Sequence, residues 1–419
     1  MRQTYRGINF EKLMLVFGFF AGAPIISFAH LTGYVYFLCI VGLMSLIKQL
    51  KGECKVEKRK DNILFAIYVL WVFASYFVCW NRMPELWTSD LLNSIVQFVL
   101  VIFIYITLDS GSKGNTLCKL NFVKGIYYSS VAQMVWAFLQ WGLYIAGVDL
   151  NNLIFNQVLH MTSDEATQIS YYGIKLSGFC WNSANMAPLM VFGFLYSRNT
   201  KIKLLFLIVS LISNSKTLMA GILICIFMSA IVPIFENLRI KRKNIILAFV
   251  VALVGIAICF VFWSNISVWA DKVLDLFNVF ENIGKEPSTY AHFRYLSTIP
   301  EVTRRNSPIS NVFGFGPGCS GFVFSKYFNQ YNGIKWSLEC DYANILWQYG
   351  YIGFLLYYTW LLSGINNLRK IDNKYISLFV SFLMMGFMYN ITFNWVFLLI
   401  LLTFSLGRNG YSIFSSNDN

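Results

Sequence analysis

Long runs of apolar residues alternate along the chain with short polar segments, and this pattern predicts a mostly helical protein. Most of the apolar runs approach the twenty residues that a helix needs to cross the hydrocarbon layer of a membrane. We therefore expect an all-α polytopic membrane protein with about twelve transmembrane helices. The predicted helices are 13–29, 32–47, 62–80, 90–108, 125–147, 185–197, 202–213, 217–235, 244–263, 342–363, 375–390 and 393–407.

Polar residues between these runs divide the chain into four predicted regions. The longest polar stretch precedes the tenth span, and so long a loop without helices of its own would be unusual. We therefore expect this loop to be partly helical. The regions are residues 1–264 with spans 1 to 9 and an outer segment at about 148–184, the long extracytoplasmic loop 265–341, spans 10 to 12 within 342–407, and a cytoplasmic tail at 408–419.

The composition supports a lipid environment. Of the 419 residues, 57% are hydrophobic and only 13% are charged, which leaves too little polar surface to cover a soluble fold of this size. The formal net charge is +13, but the basic residues cluster between apolar runs rather than along one polar face. Attraction to anionic headgroups explains this balance, so we expect membrane lipid as a partner and no nucleic acid.

Basic residues also predict the orientation of the chain. If the N-terminus lies in the cytoplasm, most of the 33 lysines and arginines fall in short cytoplasmic loops, as the positive-inside rule requires. Both termini then lie inside the cell and the long loop lies outside. The basic segment Met1–Lys12 leads into an almost unbroken apolar run, so we expect it to be retained rather than cleaved as a signal peptide.

The cysteines and histidines show no spacing that is typical of a metal site, and we expect neither a metal nor another cofactor. Most of the nine cysteines fall within apolar runs, where the expected role is that of a small buried hydrophobic residue. Cys319 and Cys340 share the long loop, and the sequence leaves open whether they pair.

Two lysines at predicted span ends are candidate contacts for an anion. Lys216 lies between two hydroxyl residues at the start of a long span, where free backbone N–H groups would suit a pyrophosphate. A lysine that simply reaches from a helix end into the interface is the alternative. Lys175 precedes Gly178, Asn182 and Asn185. The asparagines would cap the next span, and Asn185 is also a candidate substrate contact.

The long loop contributes an arginine that is flanked by aromatic residues. Arg294 could hold two phosphate oxygens at once through its planar guanidinium, whereas an ordinary surface arginine is the alternative. Beside it, His292 is a candidate base and Tyr290 a candidate contact. Arg305 is a further candidate, and a solvated Arg304–Arg305 pair is the alternative.

Two acidic residues lie at the end of the long loop. Asp341 is placed to cap the next span, whereas Glu339 could pair with Lys335 or act as a general base at the lipid–water boundary. Charged residues are almost absent from the interiors of the predicted spans, where ion-coupled transporters keep ionisable groups. The pattern therefore favours chemistry at the outer face over transport through the core.

In their order along the chain, these segments resemble the O-antigen polymerase/ligase superfamily, the Wzy-type polymerases of bacterial surface polysaccharides. The resemblance covers about residues 171–363. Lysines stand at two positions where that family has arginines, and a glutamate stands where the ligase branch has a histidine. The four matching segments are Lys175-Leu-Ser-Gly-Phe followed by Asn185, Ser-Lys216-Thr, Arg294 followed by Phe-Gly-Phe-Gly-Pro-Gly at 313–318, and Glu339-Cys-Asp341 followed by Tyr-Gly-Tyr-Ile-Gly at 349–353.

The resemblance implies a multi-pass glycosyltransferase of the bacterial inner membrane. It would polymerise undecaprenyl-pyrophosphate-linked oligosaccharide repeat units into O-antigen or capsule, by metal-independent inverting transfer at the outer face. Arg294, Lys216 and Lys175 would hold the pyrophosphate, while Glu339 with Asp341 would take the proton of the acceptor hydroxyl. A chain-length regulator protein is a further candidate partner. The alternatives are an O-antigen ligase-type transferase with the same donor site, and a lipid-linked oligosaccharide flippase with charges inside its bundle.

Overall fold

The described part of the chain is mostly helical. Helices account for 82% of these residues, which confirms the expectation of an all-α chain. The predicted helices at 244–263 and 393–407 lie outside the described residues. The computed structural model describes residues 10–24, 26–28, 31–53, 60–80, 89–109, 113–159, 168–170, 173–180, 182–237, 295–316, 319–320, 338–368 and 373–391.

Eight helices form from the apolar runs of residues 10–237, and most of their ends lie within a few residues of the predicted ends. The exceptions are α1, which ends eight residues early, and α5, which begins twelve residues early. The helices are α1 (Phe10–Ala21), α2 (Gly33–Leu50), α3 (Lys60–Trp80), α4 (Ser89–Asp109), α5 (Lys113–Ile145), α6 (Ser183–Tyr196), α7 (Thr200–Ile212) and α8 (Lys216–Asn237).

The connections between these helices contain the only strands that the structure describes. Strands β1 (Ser27–Phe28) and β2 (Leu31–Thr32) pair antiparallel between α1 and α2. Between α5 and α6 lie a π-helix (Asn152–Val158) and a second antiparallel pair. This pair joins β3 (Gln168–Ser170) to β4 (Gly173–Lys175), with Gln168 opposite Lys175.

Four helices follow in the second part of the described chain. Two short ones, α9 (Ile299–Arg305) and α10 (Pro308–Phe313), fall within the predicted long loop. They are followed by α11 (Asp341–Leu368) and α12 (Asn373–Met385). In the described part, helix α12 ends five residues before the predicted end of its span, because the backbone turns at residues 386–391.

Helix α11 is broken at Gly350, where φ is 70° and ψ is −176°. The rings of Tyr342 and Tyr358 show how sharp the break is, since they stack with their centroids 5.2 Å apart. In a straight helix these residues would lie about 24 Å apart. The two arms, 341–349 and 351–368, therefore fold back toward each other in a V. The expectation of one continuous helix over 342–363 is wrong.

The carbonyl groups that the break exposes all find donors. Phe315 N donates to the Trp347 carbonyl over 2.8 Å, and Gly316 N donates to the Gln348 carbonyl over 3.0 Å. The indole of Trp71 on α3 donates to the Tyr349 carbonyl over 2.9 Å. Because an unpaired buried carbonyl is costly, these three bonds stabilise the broken conformation.

In its described part, the glycine-rich turn at 314–316 approaches the backbone of α11. A Cβ added at Gly314 would lie 2.3 Å from the Gln348 carbonyl oxygen, and one added at Gly350 would lie 2.2 Å from that of Val312. Both residues have positive φ, so glycine is required at these two positions for conformation and for space.

One large core joins most of the helices. In the described part, α1 packs against α5, α2 against α4, α3 against α11, and α8 against both α6 and α12. A smaller cluster surrounds Val302 and joins the α9–α10 region to the first arm of α11 through Leu346 and Trp347. The glycine turn and the break in α11 therefore lie where the two clusters meet.

One helix of the described residues, α2, is long and apolar enough to cross a membrane. Further apolar helical stretches in the described chain are shorter, from 10 to 17 residues. They are Asn62–Val78, Ile95–Leu108, Ser183–Tyr196, Lys216–Val232 and Ile376–Met385.

Candidate functional site

The ends of α6, α8 and α12 meet at one end of the helix bundle. Helix α7 returns between α6 and α8, so these two run in the same direction and their N-termini lie together. Helix α12 runs opposite to α8, since Ser229 donates to Ser377 over 3.2 Å while Gly221 lies against Met385. Two helix N-termini, each with a partial positive charge, therefore lie beside the turn that follows α12.

Lys216 is the first residue of α8 and follows a tight turn at Ser213–Ser215. Asn214 has a φ of 50°, a conformation that asparagine tolerates better than most residues. The Ser215 hydroxyl accepts a hydrogen bond from Leu218 N over 3.4 Å and so caps the helix. Lys216 thus places a side-chain cation at the N-terminus of a helix, an arrangement that suits an anion.

Lys175 lies on a segment that is hydrogen-bonded to the turn before Lys216. The amide of Asn214 donates to the Ile174 carbonyl over 3.1 Å, and Leu176 N donates to the Ser213 carbonyl over 3.3 Å. These two bonds hold the residues on either side of Lys175. The structure therefore brings both predicted lysines onto adjoining segments, although they are 41 positions apart in the sequence.

The loop after Lys175 is held by buried amides of α5. Gln140 Oε1 accepts hydrogen bonds from Ser177 N over 3.2 Å and from Gly178 N over 3.3 Å. Gln133 Oε1 accepts one from Phe179 N over 2.5 Å, and its Nε2 donates to the Gly22 carbonyl over 2.6 Å. Both glutamines are fully buried, so they fix the path of the loop.

Sequence reasoning missed these glutamines, although a signal was present. Gln133 and Gln140 are seven residues apart in an otherwise apolar run, which places them two turns apart on one face of α5. Asn151 adds to the same buried polar layer, since it donates to the Ser177 hydroxyl over 3.0 Å and to the Gly178 carbonyl over 3.1 Å. Buried amides at this spacing indicate a backbone segment that needs partners.

Asn182 links this loop to the end of α12. Its side chain caps α6 by accepting a hydrogen bond from Asn185 N over 2.9 Å, which confirms the predicted capping role for Asn182. Asn185 lies inside the helix and provides the N–H that is capped. The Asn182 amide also donates to the Tyr389 hydroxyl over 2.7 Å, so the lysine segments adjoin the turn at 386–391.

The carboxylates approach the same turn from the other side. Asp341 begins α11, is only 1% exposed, and donates its backbone N–H to the Gly386 carbonyl over 2.8 Å. Glu339 lies two residues earlier and is exposed. The Glu339 side chain is therefore exposed, while Asp341 is held against the turn that follows α12.

The structure thus relates five of the predicted site residues to one turn. Asn185 adjoins it through Asn182 and Tyr389, and Asp341 adjoins it through Gly386. Lys216 begins the helix whose Gly221 lies against Met385, while Lys175 and Glu339 lie on the neighbouring segments. Arg305 lies elsewhere, on the exposed surface of α9, where it forms an ion pair with Glu301. The other candidates, Arg294, His292 and Tyr290, lie outside the described residues.

Cys319 and Cys340 are both buried in the small cluster around Val302, and the structure holds both as thiols. Burial raises the pKa of the Cys340 thiol from its ordinary value of 9.0 to about 11, and the neighbouring Asp341 carboxylate raises it further against two backbone hydrogen bonds that lower it. Between these pH values the unfolded chain loses a proton that the folded chain keeps, so folding stability falls as the pH rises.

We predict that Cys340 resists alkylation in the folded protein until the pH approaches 11, because the thiolate is the reacting species. Iodoacetamide labelling at several pH values, with each cysteine quantified by mass spectrometry, measures this directly. The same labelling in denaturant is the control and should proceed near pH 9. Rapid labelling of folded protein at pH 8 would contradict the burial of this thiol.

Within the described residues, His, Cys, Asp and Glu side chains form no group of three that could hold a metal ion. No protein-family model matches the chain, and no curated protein matches it either.

Proposed function

We propose that the chain polymerises undecaprenyl-pyrophosphate-linked oligosaccharide repeat units into a surface polysaccharide, by inverting glycosyl transfer without a metal ion. The observation that carries the proposal is the pair of hydrogen bonds on either side of Lys175, which join its segment to the turn before Lys216. Two cations beside two helix N-termini suit a diphosphate. Carboxylates that approach the same turn suit the deprotonation of a hydroxyl.

In the proposed reaction, the oxygen of an acceptor hydroxyl forms a bond to the anomeric carbon of the growing glycan. The bond between that carbon and the pyrophosphate oxygen breaks, and the leaving group keeps the electron pair. Lys175 and Lys216 stabilise the charge that develops on the pyrophosphate. Glu339 takes the hydroxyl proton, and Asp341 supports it from its buried position at the start of α11.

We also propose that the chain crosses the bacterial inner membrane about twelve times, with both termini in the cytoplasm and the site at the outer face. Large apolar side chains on the outside of the bundle support this placement. Leu50 is 79% exposed, Phe77 is 76% exposed and Leu70 is 69% exposed, and such surfaces are favourable in lipid rather than in water. The composition also favours a lipid environment.

The proposal is tested by incubating the purified full-length protein with purified lipid-linked repeat units in the presence of a chelator. A ladder of longer lipid-linked glycans on a gel is the expected result. Repeat units that stay single would contradict the proposed function. Transfer of glycan only onto an added lipid or protein acceptor would indicate a ligase instead, and movement across a vesicle membrane without growth would indicate a flippase.

We predict that Glu339→Gln lowers the polymerisation rate by about 10²–10⁴-fold, because the amide cannot accept the acceptor's proton. Cells that carry this variant should accumulate lipid-linked single units, which mass spectrometry of extracted lipids would detect. Glu53→Gln, at an exposed position after α2, is the matched control and should leave the rate unchanged. Full-length polymer in Glu339→Gln cells would remove this residue from the site.

A further inference from the structure

Asn344 uses all the hydrogen-bonding positions of its side chain and is fully buried in the first arm of α11. Its Oδ1 accepts a hydrogen bond from Leu338 N over 2.7 Å and another from the Ser320 hydroxyl. Its Nδ2 donates to the Leu338 carbonyl and to Asn390 Oδ1. An asparagine amide offers two acceptor positions and two donors, and all four are occupied.

No other side chain can reproduce this set of bonds. Aspartate keeps the acceptors but loses both donors when it is ionised, and leucine of similar size has neither. The bonds to both backbone groups of Leu338 also fix which end of the Asn344 amide is oxygen. They hold the backbone immediately before Glu339, in the way that a neighbouring strand would hold it.

The bond to Asn390 connects the segment around Leu338 with the part of the site that contains Lys175 and Lys216. Asn390 follows Tyr389, whose hydroxyl accepts the hydrogen bond of Asn182. It also belongs to the turn in which Gly386 accepts from Asp341. One buried side chain therefore contacts the segment that carries Glu339 and the turn that adjoins the lysine segments.

We propose that Asn344 is a positioning residue for the transfer reaction. By bonding Leu338 and Asn390 at once, it sets the position of Glu339 and Asp341 relative to the segments of Lys175 and Lys216. The inference rests on the proposed function and adds a residue that touches neither substrate nor leaving group. Its effect is to hold the proton acceptor at the distance that the reacting hydroxyl requires.

The test compares Asn344→Asp and Asn344→Leu in steady-state polymerisation with purified lipid-linked repeat units. Both substitutions should lower kcat by about 10²-fold, because displacing a catalytic group by about 1 Å has an effect of that size. KM should change little, since the lysine segments keep their own bonds. For Asn344→Asp the ratio of its kcat to that of wild type should rise as the pH falls, because a protonated carboxyl regains one donor. For Asn344→Leu this ratio should not depend on pH.

Asn311→Asp is the matched control, because the Asn311 amide donates to the Thr303 carbonyl in the α9–α10 region, away from the connection to Asn390. It should leave kcat unchanged. A wild-type kcat in both Asn344 variants would overturn the inference, and so would an equal loss in Asn311→Asp. Equal losses in the two Asn344 variants without any pH dependence, accompanied by a raised KM, would also overturn it.

Backbone hydrogen exchange tests this inference independently of the proposed function. In both Asn344 variants the amide of Leu338 should exchange faster, while amides in the middle of α8 should keep their protection. If the wild-type protein does not polymerise repeat units, the proposed function fails, and exchange alone decides the positioning role. Unchanged exchange at residues 338–341 and 386–391 would then overturn it.

Discussion

Replacing Lys216 by alanine is expected to lower the rate of polymerisation by about 10²–10³-fold, the usual effect of removing one group that stabilises developing negative charge. Lys216 stands at the start of α8, where its cation adds to the N–H groups of the helix end. The loss should fall mainly on kcat, since charge on the leaving pyrophosphate increases as the anomeric bond breaks. Initial rates with purified lipid-linked repeat units measure it.

Two further variants separate the effect of losing the charge from other effects of the substitution. Lys216→Arg keeps the charge and should retain most of the activity, because a guanidinium also donates hydrogen bonds to phosphate oxygens. Lys201→Ala removes an exposed lysine from the start of α7, at the opposite end of that helix from the Ser213–Ser215 turn, and should have no effect. A fully active Lys216→Ala protein would show that the leaving group is held elsewhere.

Substituting Gly350 by alanine is expected to have the largest effect on stability. The backbone there has a φ of 70° and a ψ of −176°, a region that costs a residue with a Cβ about 1–3 kcal/mol. The added Cβ would also lie 2.2 Å from the Val312 carbonyl oxygen, so the α10 segment must move. We expect a lower unfolding temperature and a reduced yield of monodisperse protein, both measured by size-exclusion chromatography after heating.

Two other glycines provide the controls for this substitution. Gly52 also has a φ of 70° but nothing near its Cβ position, so Gly52→Ala should show the cost of a positive φ without a steric clash. Gly142 lies in α5 with open space and no positive φ, so alanine there should be neutral or slightly stabilising. If Gly350→Ala were as stable as Gly142→Ala, the contacts across the break would not matter for folding.

Hydrophobic runs predict the helices well because the signal is local. Helices α2, α3 and α4 begin and end within three residues of the predicted positions. The expectations differ from the structure where local sequence permits two outcomes. The residues before 125 form helix as readily as loop, so the beginning of α5 depends on packing against its neighbours rather than on composition.

The break in α11 could not be predicted from residues 341–368 alone. A single glycine inside an apolar run is tolerated in a continuous helix, and Gly353 in the same helix does not break it. The outcome depends on partners for the exposed carbonyls, and those partners come from Phe315, Gly316 and the Trp71 indole. These donors belong to segments far away in the sequence, so pattern reasoning does not connect them with the break.

The residues of the candidate site also fall into two groups, those that could be predicted from the sequence and those that could not. Lys216 and Asp341 could be selected from sequence because each charge stands at the border of an apolar run. Tyr389 and Asn390, which connect the two sides, could not be selected because the sequence predicts that they end a continuous span. Their role becomes visible only when the α12 helix is seen to end at Met385 and the chain turns back toward Asn344.

The V shape of α11 determines how the proposed site would be reached from outside the membrane. Its shorter arm, 341–349, is about 13 Å long, less than half of the roughly 30 Å thickness of a hydrocarbon layer. If the longer arm crosses the proposed membrane with Gly350 at the outer surface, the start of the shorter arm lies well below that surface. An acceptor sugar must then descend into a recess. Because Glu339 is exposed, we expect this recess to stay open to the outer face, so that a growing glycan chain can enter and leave it during elongation.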